Sequence, residues 1–118
     1  MKTSYYFSNR IRDPELKLIG ISSSHPKGLE WLQGMRRYKP LFPGWKLIHQ
    51  LKNGKISRSE YAYLYETEIL DRLDPEEVYT DLGDNAILLC WEKPGLFCHR
   101  RIVARWFYDN LGIKVNEL

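Results

Sequence analysis

Cysteine is scarce. The chain has only Cys90 and Cys98, with seven residues between them. That spacing is not the two-residue gap of a zinc knuckle, and no second pair exists to complete one. No apolar run approaches membrane-spanning length, and the opening Met-Lys-Thr-Ser-Tyr-Tyr has no signal-peptide core. The cytoplasm is therefore the expected compartment, with no membrane partner. In a reducing compartment the two cysteines are expected as thiols rather than as a structural disulfide. Excess charge is also small: the net charge is +3, which permits a phosphate-bearing partner without demanding one. A Walker-type phosphate loop is absent, because the polar stretch Ser22 to Lys27 is followed by a single glycine, Gly28. Cysteine phosphatases carry an arginine six positions after the nucleophile; counted from Cys90, that position is Leu96. There is no internal repeat, linker or low-complexity segment.

What is present suits one compact domain. The length of 118 residues leaves little room for a second domain, and 43% hydrophobic residues, four Trp and eight Tyr can build a core. Thr3 to Asp13 reads as an aromatic strand or arm running into a turn, and Leu16 to Ile21 as a core strand ending in the Ser22–Gly28 loop. Leu29 to Met35 reads as a short helix, and Arg36-Arg37-Tyr38-Lys39 as a basic turn. Trp45 to Leu51 suits a short helix stopped by Asn53-Gly54. Ser57 and Glu60 have capping-box spacing and open a helix with Tyr61, Leu64, Tyr65, Ile69 and Leu73 on one face. Asp74-Pro75 caps the next helix, which ends near Leu82-Gly83.

Ala86 to Cys90 is a short apolar run of buried-strand length. Trp91 to Phe97 contains Pro94 and Gly95 and is a loop. From His99, the residues Ile102, Val103, Trp106 and Phe107 recur at helical spacing up to Gly112. Ile113 to Val115 reads as a last edge strand. Strands alternating with amphipathic helices give the expected fold class: α/β, a single three-layer domain over residues 1–118 with a small, mostly parallel sheet and helices on both faces.

Ligands of open α/β sheets gather beyond the carboxyl ends of strands, which selects the Cys90–Arg100 strand-loop-helix. Cys98 falls at a helix start beside His99 and Arg100, a setting that stabilises a thiolate and makes a nucleophile. His99 and Glu92 are candidate proton carriers, and Cys90 is a second candidate thiol. The plainer alternatives are a small packed cysteine at 98, a buried core thiol at 90, a loop anchor at 92 and a structural histidine at 99. His99 leads the Val103/Trp106 stripe and should point towards the sheet. Arg100, Lys93 and the loop amides suit an anion. Ser22, Ser24, His25 and Lys27 on the other strand-end loop could supply hydroxyls and cations to the same ligand.

A metal held by Cys90, Cys98 and His99, with Glu92 or His25 as a fourth ligand, would need the loop to fold back. Neither a metal nor another cofactor is expected. Arg36, Arg37, Tyr38 and Lys39 could contact nucleic acid through charge and stacking, although a basic surface turn is the safer reading because the net charge is small.

The run Leu88-Leu-Cys-Trp-Glu-Lys-Pro-Gly-Leu-Phe-Cys-His-Arg-Arg-Ile-Val-Ala resembles the family called domain of unknown function 488. Its hallmark is an apolar strand, Cys-x-Glu-Lys, a loop, then Cys-His-Arg at a helix start. Cys90, Glu92, Lys93, Cys98, His99 and Arg100 fill those positions. Tyr6-Phe-Ser-Asn-Arg10, Ile19 to Lys27, Tyr38-Lys-Pro40 and Leu73-Asp-Pro75 extend the resemblance upstream, as in a short variant of the family. The resemblance implies an α/β fold and a site at this loop, and it implies no particular reaction. The expected function is binding of a small anionic, nucleotide- or phosphate-like ligand at this unit, with thiol or acid–base catalysis. The alternative is a non-catalytic nucleic-acid- or protein-binding module with a structural Cys/His motif.

Overall fold

The computed structural model describes residues 1–118. Five strands form one all-parallel sheet: β1 (Lys2–Tyr5), β2 (Lys17–Gly20), β3 (Arg36–Arg37), β4 (Ala86–Cys90) and β5 (Asn116–Glu117). Their order is β3-β2-β4-β1-β5. β4 is central because every one of its residues is buried and apolar enough to be covered on both faces. It lies in register between β1 (Thr3 opposite Leu88) and β2 (Ile19 opposite Leu88). The basic pair Arg36-Arg37, read above as a turn, instead forms the two-residue edge strand β3 beside Ile19 and Gly20. The last strand starts at Asn116, not Ile113. Val115 is still core, and pairing with β1 begins only after it.

Side chains alternate across a strand, so Ala86, Leu88 and Ile19 face one side and Ile87 and Leu89 the other. The first side is covered by four helices: α1 (Trp45–Lys52), α2 (Arg58–Glu68), α3 (Pro75–Leu82) and α4 (His99–Leu111). The second is covered by short 3-10 helices, Asn9–Ile11 and Glu30–Leu32, through Ile11, Leu32 and the flank of Trp31. The expected three layers are present, but the second helical layer is thin. The Leu29–Met35 segment contributes only one 3-10 turn to it. No helix is long and apolar enough to cross a membrane.

Local signals act as their chemistry dictates. Ser57 Oγ accepts from the Glu60 amide at 3.1 Å, and Glu60 Oε1 accepts from the Ser57 amide at 3.0 Å. Asp74 caps α3, and Gly112 closes α4 in the left-handed conformation, φ 68°. α2 ends at Glu68, so Ile69 and Leu73 fall beyond it, on either side of a 3-10 turn at Leu70–Arg72, and still pack against the core. Gly20 in β2 is required by crowding. A Cβ there would meet Met35 Cε at 2.9 Å and the Tyr6 hydroxyl at 3.0 Å.

The connections decide where a ligand can sit. After β2 the chain crosses the thin face to β3; after β4 it crosses the helical face through α4 to β5. Adjacent strands whose connections leave over opposite faces open a crevice at their carboxyl ends. Here those ends are Ile21–Ser24 and Cys90–Trp91.

Truncating the shared core of this sheet tests the architecture. Leu88→Ala, at a fully buried position, should destabilise the fold by about 3 kcal/mol. The denaturant midpoint should fall with the slope unchanged. A loss below roughly 1 kcal/mol would contradict the central placement of β4.

Candidate functional site

A cavity of ≈ 510 Å³ occupies the crevice. Its walls come from both strand-end loops, from α1 and α2, and from the start of α4, with Ser22, Trp45, Lys52, Tyr61, Trp91 and Phe97 among the lining residues. Cys90, Cys98 and His99 form its floor. A larger depression, ≈ 1060 Å³, runs along Leu16–Ile19 and the β3 edge, and its walls contain neither cysteine nor histidine.

Cys90 is two residues beyond Leu88, so its side chain points to the helical face where α4 begins. Cys98 is the N-cap of α4, in extended conformation. The intervening loop folds back and brings the two Cα atoms to 7.1 Å, with the sulfurs bonded as a disulfide. This corrects the expectation of two thiols. The residue count between cysteines gives no hint of it, because the pairing depends on where the loop returns.

His99 is buried at the first position of α4. Its Nε2 lies 2.7 Å from the Ile21 carbonyl oxygen. A carbonyl only accepts, so Nε2 carries the proton and donates it. Nδ1 therefore presents a lone pair, and it faces Cys90 Sγ at 3.5 Å and Cys98 Sγ at 3.9 Å. The Tyr65 ring packs edge-on against the imidazole at 5.3 Å, and the Tyr65 hydroxyl donates to the Leu41 carbonyl. Burial lowers the His99 pKa to about 4; the Ile21 hydrogen bond opposes this and the Arg100 charge adds to it. The ring is neutral at neutral pH.

Arg100 does not join the pocket. Successive helical residues diverge by roughly 100°, so Arg100 turns towards the β1/β5 edge while His99 faces the crevice. Arg100 is 1% exposed; its Nε donates to Glu117 Oε1 at 2.9 Å and its Nη1 to the Glu92 carbonyl at 2.6 Å. Glu117 also accepts from Thr3 Oγ1. The anion clamp expected from Arg100 is thus a structural cation that ties the loop after β4 to the last strand. Glu92 lines the cavity and anchors the loop through its carbonyl. Lys93, His25 and Lys27 do not line the cavity, whereas Ser22 and Ser24 do.

Both serines serve the framework. Ser22 Oγ hydrogen-bonds the Tyr6 hydroxyl and the Ser24 carbonyl, and Trp91 Nε1 donates to the Ser24 carbonyl and hydroxyl at 3.1 Å. Arg37 Nη2 donates to the carbonyls of Ser22 and Ser23 and lies over Phe42; Arg36 donates to the Asp81 carbonyl. Both arginines of the basic cluster are therefore engaged within the protein.

Several residues of the site were not singled out in the sequence. Trp91 and Phe97 lie in the flagged loop and could have been taken as its aromatic walls. Trp45 and Lys52 reach the site from α1, and nothing local marks them. Lys52 is the only lysine or arginine lining the cavity. Four of the six large exposed apolar residues (Phe7, Trp45, Trp91 and Leu96) lie in the cavity wall, against Trp91 or in the adjoining loop. Apolar side chains gathered in this way differ from the singly scattered exposed apolar residues of an ordinary surface.

No protein-family model, curated protein or solved structure matches the chain.

His99 also sets a pH dependence. Its folded pKa is depressed from 6.5 to about 4, so between those values the unfolded chain binds a proton that the folded chain does not. Stability is therefore lost as pH falls through that window, by about 3 kcal/mol at full extent. Carboxylates and His25 titrate in both wild type and His99→Gln and cancel in the comparison. Denaturant unfolding at pH 7 and pH 4 should show the stability gap between the two proteins narrowing by on the order of 2–3 kcal/mol. A constant gap would mean that His99 is protonated in the folded state or is exposed.

Proposed function

We propose that the protein acts through Cys90 and Cys98 as a dithiol/disulfide centre that exchanges with a thiol-bearing substrate of apolar body seated in the aromatic cavity. The observation that carries this is the Nδ1 lone pair of a buried, neutral His99 aimed at both sulfurs at the floor of an open crevice. The motif resemblance to the domain of unknown function 488 family supports the same loop as the site, and we propose the chain as a short variant of it.

The exchange runs in two balanced steps. An incoming thiol R–SH gives its proton to His99 Nδ1, and its sulfur bonds to Cys98 Sγ as the Cys90–Cys98 bond breaks. His99 returns the proton to the departing Cys90 Sγ, its nearer sulfur. The products are the mixed disulfide R–S–S–Cys98 and a Cys90 thiol. A second substrate thiol then bonds to R and releases Cys98, leaving a substrate disulfide and a protein dithiol. In the reverse direction Cys98 is the attacking thiolate, because the amides and dipole at the start of α4 favour negative charge there. Cys90 resolves the intermediate, with His99 as its base. The anionic character expected of the ligand now rests on Lys52, since Arg100 is occupied. The cavity's aromatic walls provide most of the recognition surface.

The test is thiol exchange in the folded protein. With a chelator present, dithiothreitol should open the disulfide without denaturant, releasing two titratable thiols. Cys90→Ser should accumulate one mixed disulfide at Cys98 when treated with an aromatic disulfide, releasing one equivalent of the aromatic thiol. His99→Gln should slow exchange by roughly 100-fold, the usual scale for a lost general base. A bond that opens only in denaturant would reduce the Cys/His motif to a structural staple and end the catalytic reading.

A further inference from the structure

We infer that, once reduced, Cys90, Cys98 and His99 form a binding site for a thiophilic divalent cation, zinc being the best match, so that the pair alternates between a disulfide and a metal-bound dithiolate. This goes beyond the exchange reading, although both use the same sulfurs. Two sulfurs and one ring nitrogen lie within 4.8 Å of one another, and all three residues are buried. Two thiolates and one imidazole with a fourth position left open is an established zinc donor set.

The imidazole is already prepared for coordination. Metal-bound histidines hold a lone pair on one nitrogen by donating the other N–H to a carbonyl or carboxylate. Nε2 does this with the Ile21 carbonyl, and Nδ1 points at the sulfurs. No other hydrogen-bond partner occupies Nδ1. The cysteine spacing also suits a metal. Sulfurs sharing a tetrahedral zinc sit roughly 3.8 Å apart, given Zn–S bonds of about 2.3 Å. The Cα separation of 7.1 Å lies beyond the roughly 4.4–6.8 Å usual for a direct disulfide. The two positions can therefore hold their sulfurs further apart than a covalent bond does.

The fourth position faces the cavity, where water or a ligand group can enter. Glu92 lines that cavity and is the carboxylate placed to hydrogen-bond such a water or to move its proton. Binding releases two protons, one from each thiol, and none from the imidazole. Oxidation by a disulfide-bearing molecule re-forms the Cys90–Cys98 bond, reduces that molecule to its thiols and expels the ion.

Wild-type protein in two states provides the test without any variant that might fail to fold. The protein is reduced, freed of reductant without oxygen, checked for two titratable thiols and titrated with Co²⁺, then with Zn²⁺. Protein that resists native reduction is reduced in denaturant and refolded first. The reduced form should bind one Co²⁺ per chain, show thiolate-to-cobalt charge-transfer absorption, and lose it to Zn²⁺. The disulfide form should bind at least 100-fold more weakly. Reduced His99→Gln should bind at least 10-fold more weakly than reduced wild type, since losing even an outer-shell partner of a ligand costs roughly that much. Reduced, folded protein with two free thiols and no cobalt–thiolate absorption would overturn the inference. Exchange in chelator is scored separately: it can fail while metal binding holds, or proceed with no metal bound.

Discussion

The hydrogen bond from His99 to the Ile21 carbonyl ties together the two strand ends that make the crevice. Its acceptor is the main chain just beyond β2, and its donor is the first residue of α4. A buried imidazole without such a partner would lose the free energy of an unmade hydrogen bond. With it, the tautomer is settled, the ring orientation is settled, and the remaining lone pair faces the sulfurs. The Trp91 indole makes a second link between the same loops through Ser24, and Arg37 holds the Ser22 and Ser23 carbonyls from the β3 side. The floor of the cavity is thus braced from three elements before any ligand enters.

Helix geometry separates His99 from Arg100, the two residues that follow Cys98 at the start of α4. Arg100 is buried against Glu117 and the Glu92 carbonyl, where its charge stabilises the loop and adds to the depression of the His99 pKa that burial causes. It leaves the crevice with a neutral base and an apolar wall instead of a guanidinium clamp. Such a wall discriminates by shape and desolvation, and the start of α4 still offers free amides to a thiolate at Cys98. In the proposed exchange, nucleophile stabilisation and ligand affinity would therefore come from different groups.

The sequence carried the α/β class, β4, the caps at Ser57 and Asp74, and α4 with His99 turned inwards, because each follows from local periodicity or capping chemistry. It drew attention to the loop that lines the crevice because Pro94 and Gly95 interrupt an apolar strand just before an amphipathic helix. The failures were non-local. The Cys90–Cys98 pairing depends on the path of the returning loop, and the fate of Arg100 depends on β5, formed nearly twenty residues later. Arg36-Arg37 reads as a turn until a neighbouring strand supplies hydrogen bonds. Trp45 and Lys52 enter the crevice only because α1 packs over the helical face, which no window around them reveals.

The same local chemistry makes three states of the pair mutually consistent. A neutral His99 with its lone pair inwards can accept a proton from a thiol, leave a disulfide undisturbed or coordinate a cation, and none of these requires its ring to turn. A protonated His99 could do none of the first or third, since Nδ1 would then carry hydrogen. Burial, with the Tyr65 ring packed edge-on to the imidazole, keeps that proton off well below neutral pH. The depressed basicity has a compensating cost, because a weaker base accepts a thiol proton less readily. A thiolate forming beside the ring reverses this: its negative charge raises the imidazole pKa at the moment the proton must be held. In the proposed exchange the buried histidine would thus stay neutral at neutral pH and take its proton from the sulfurs, which is the property that a proton carrier between two adjacent cysteines needs.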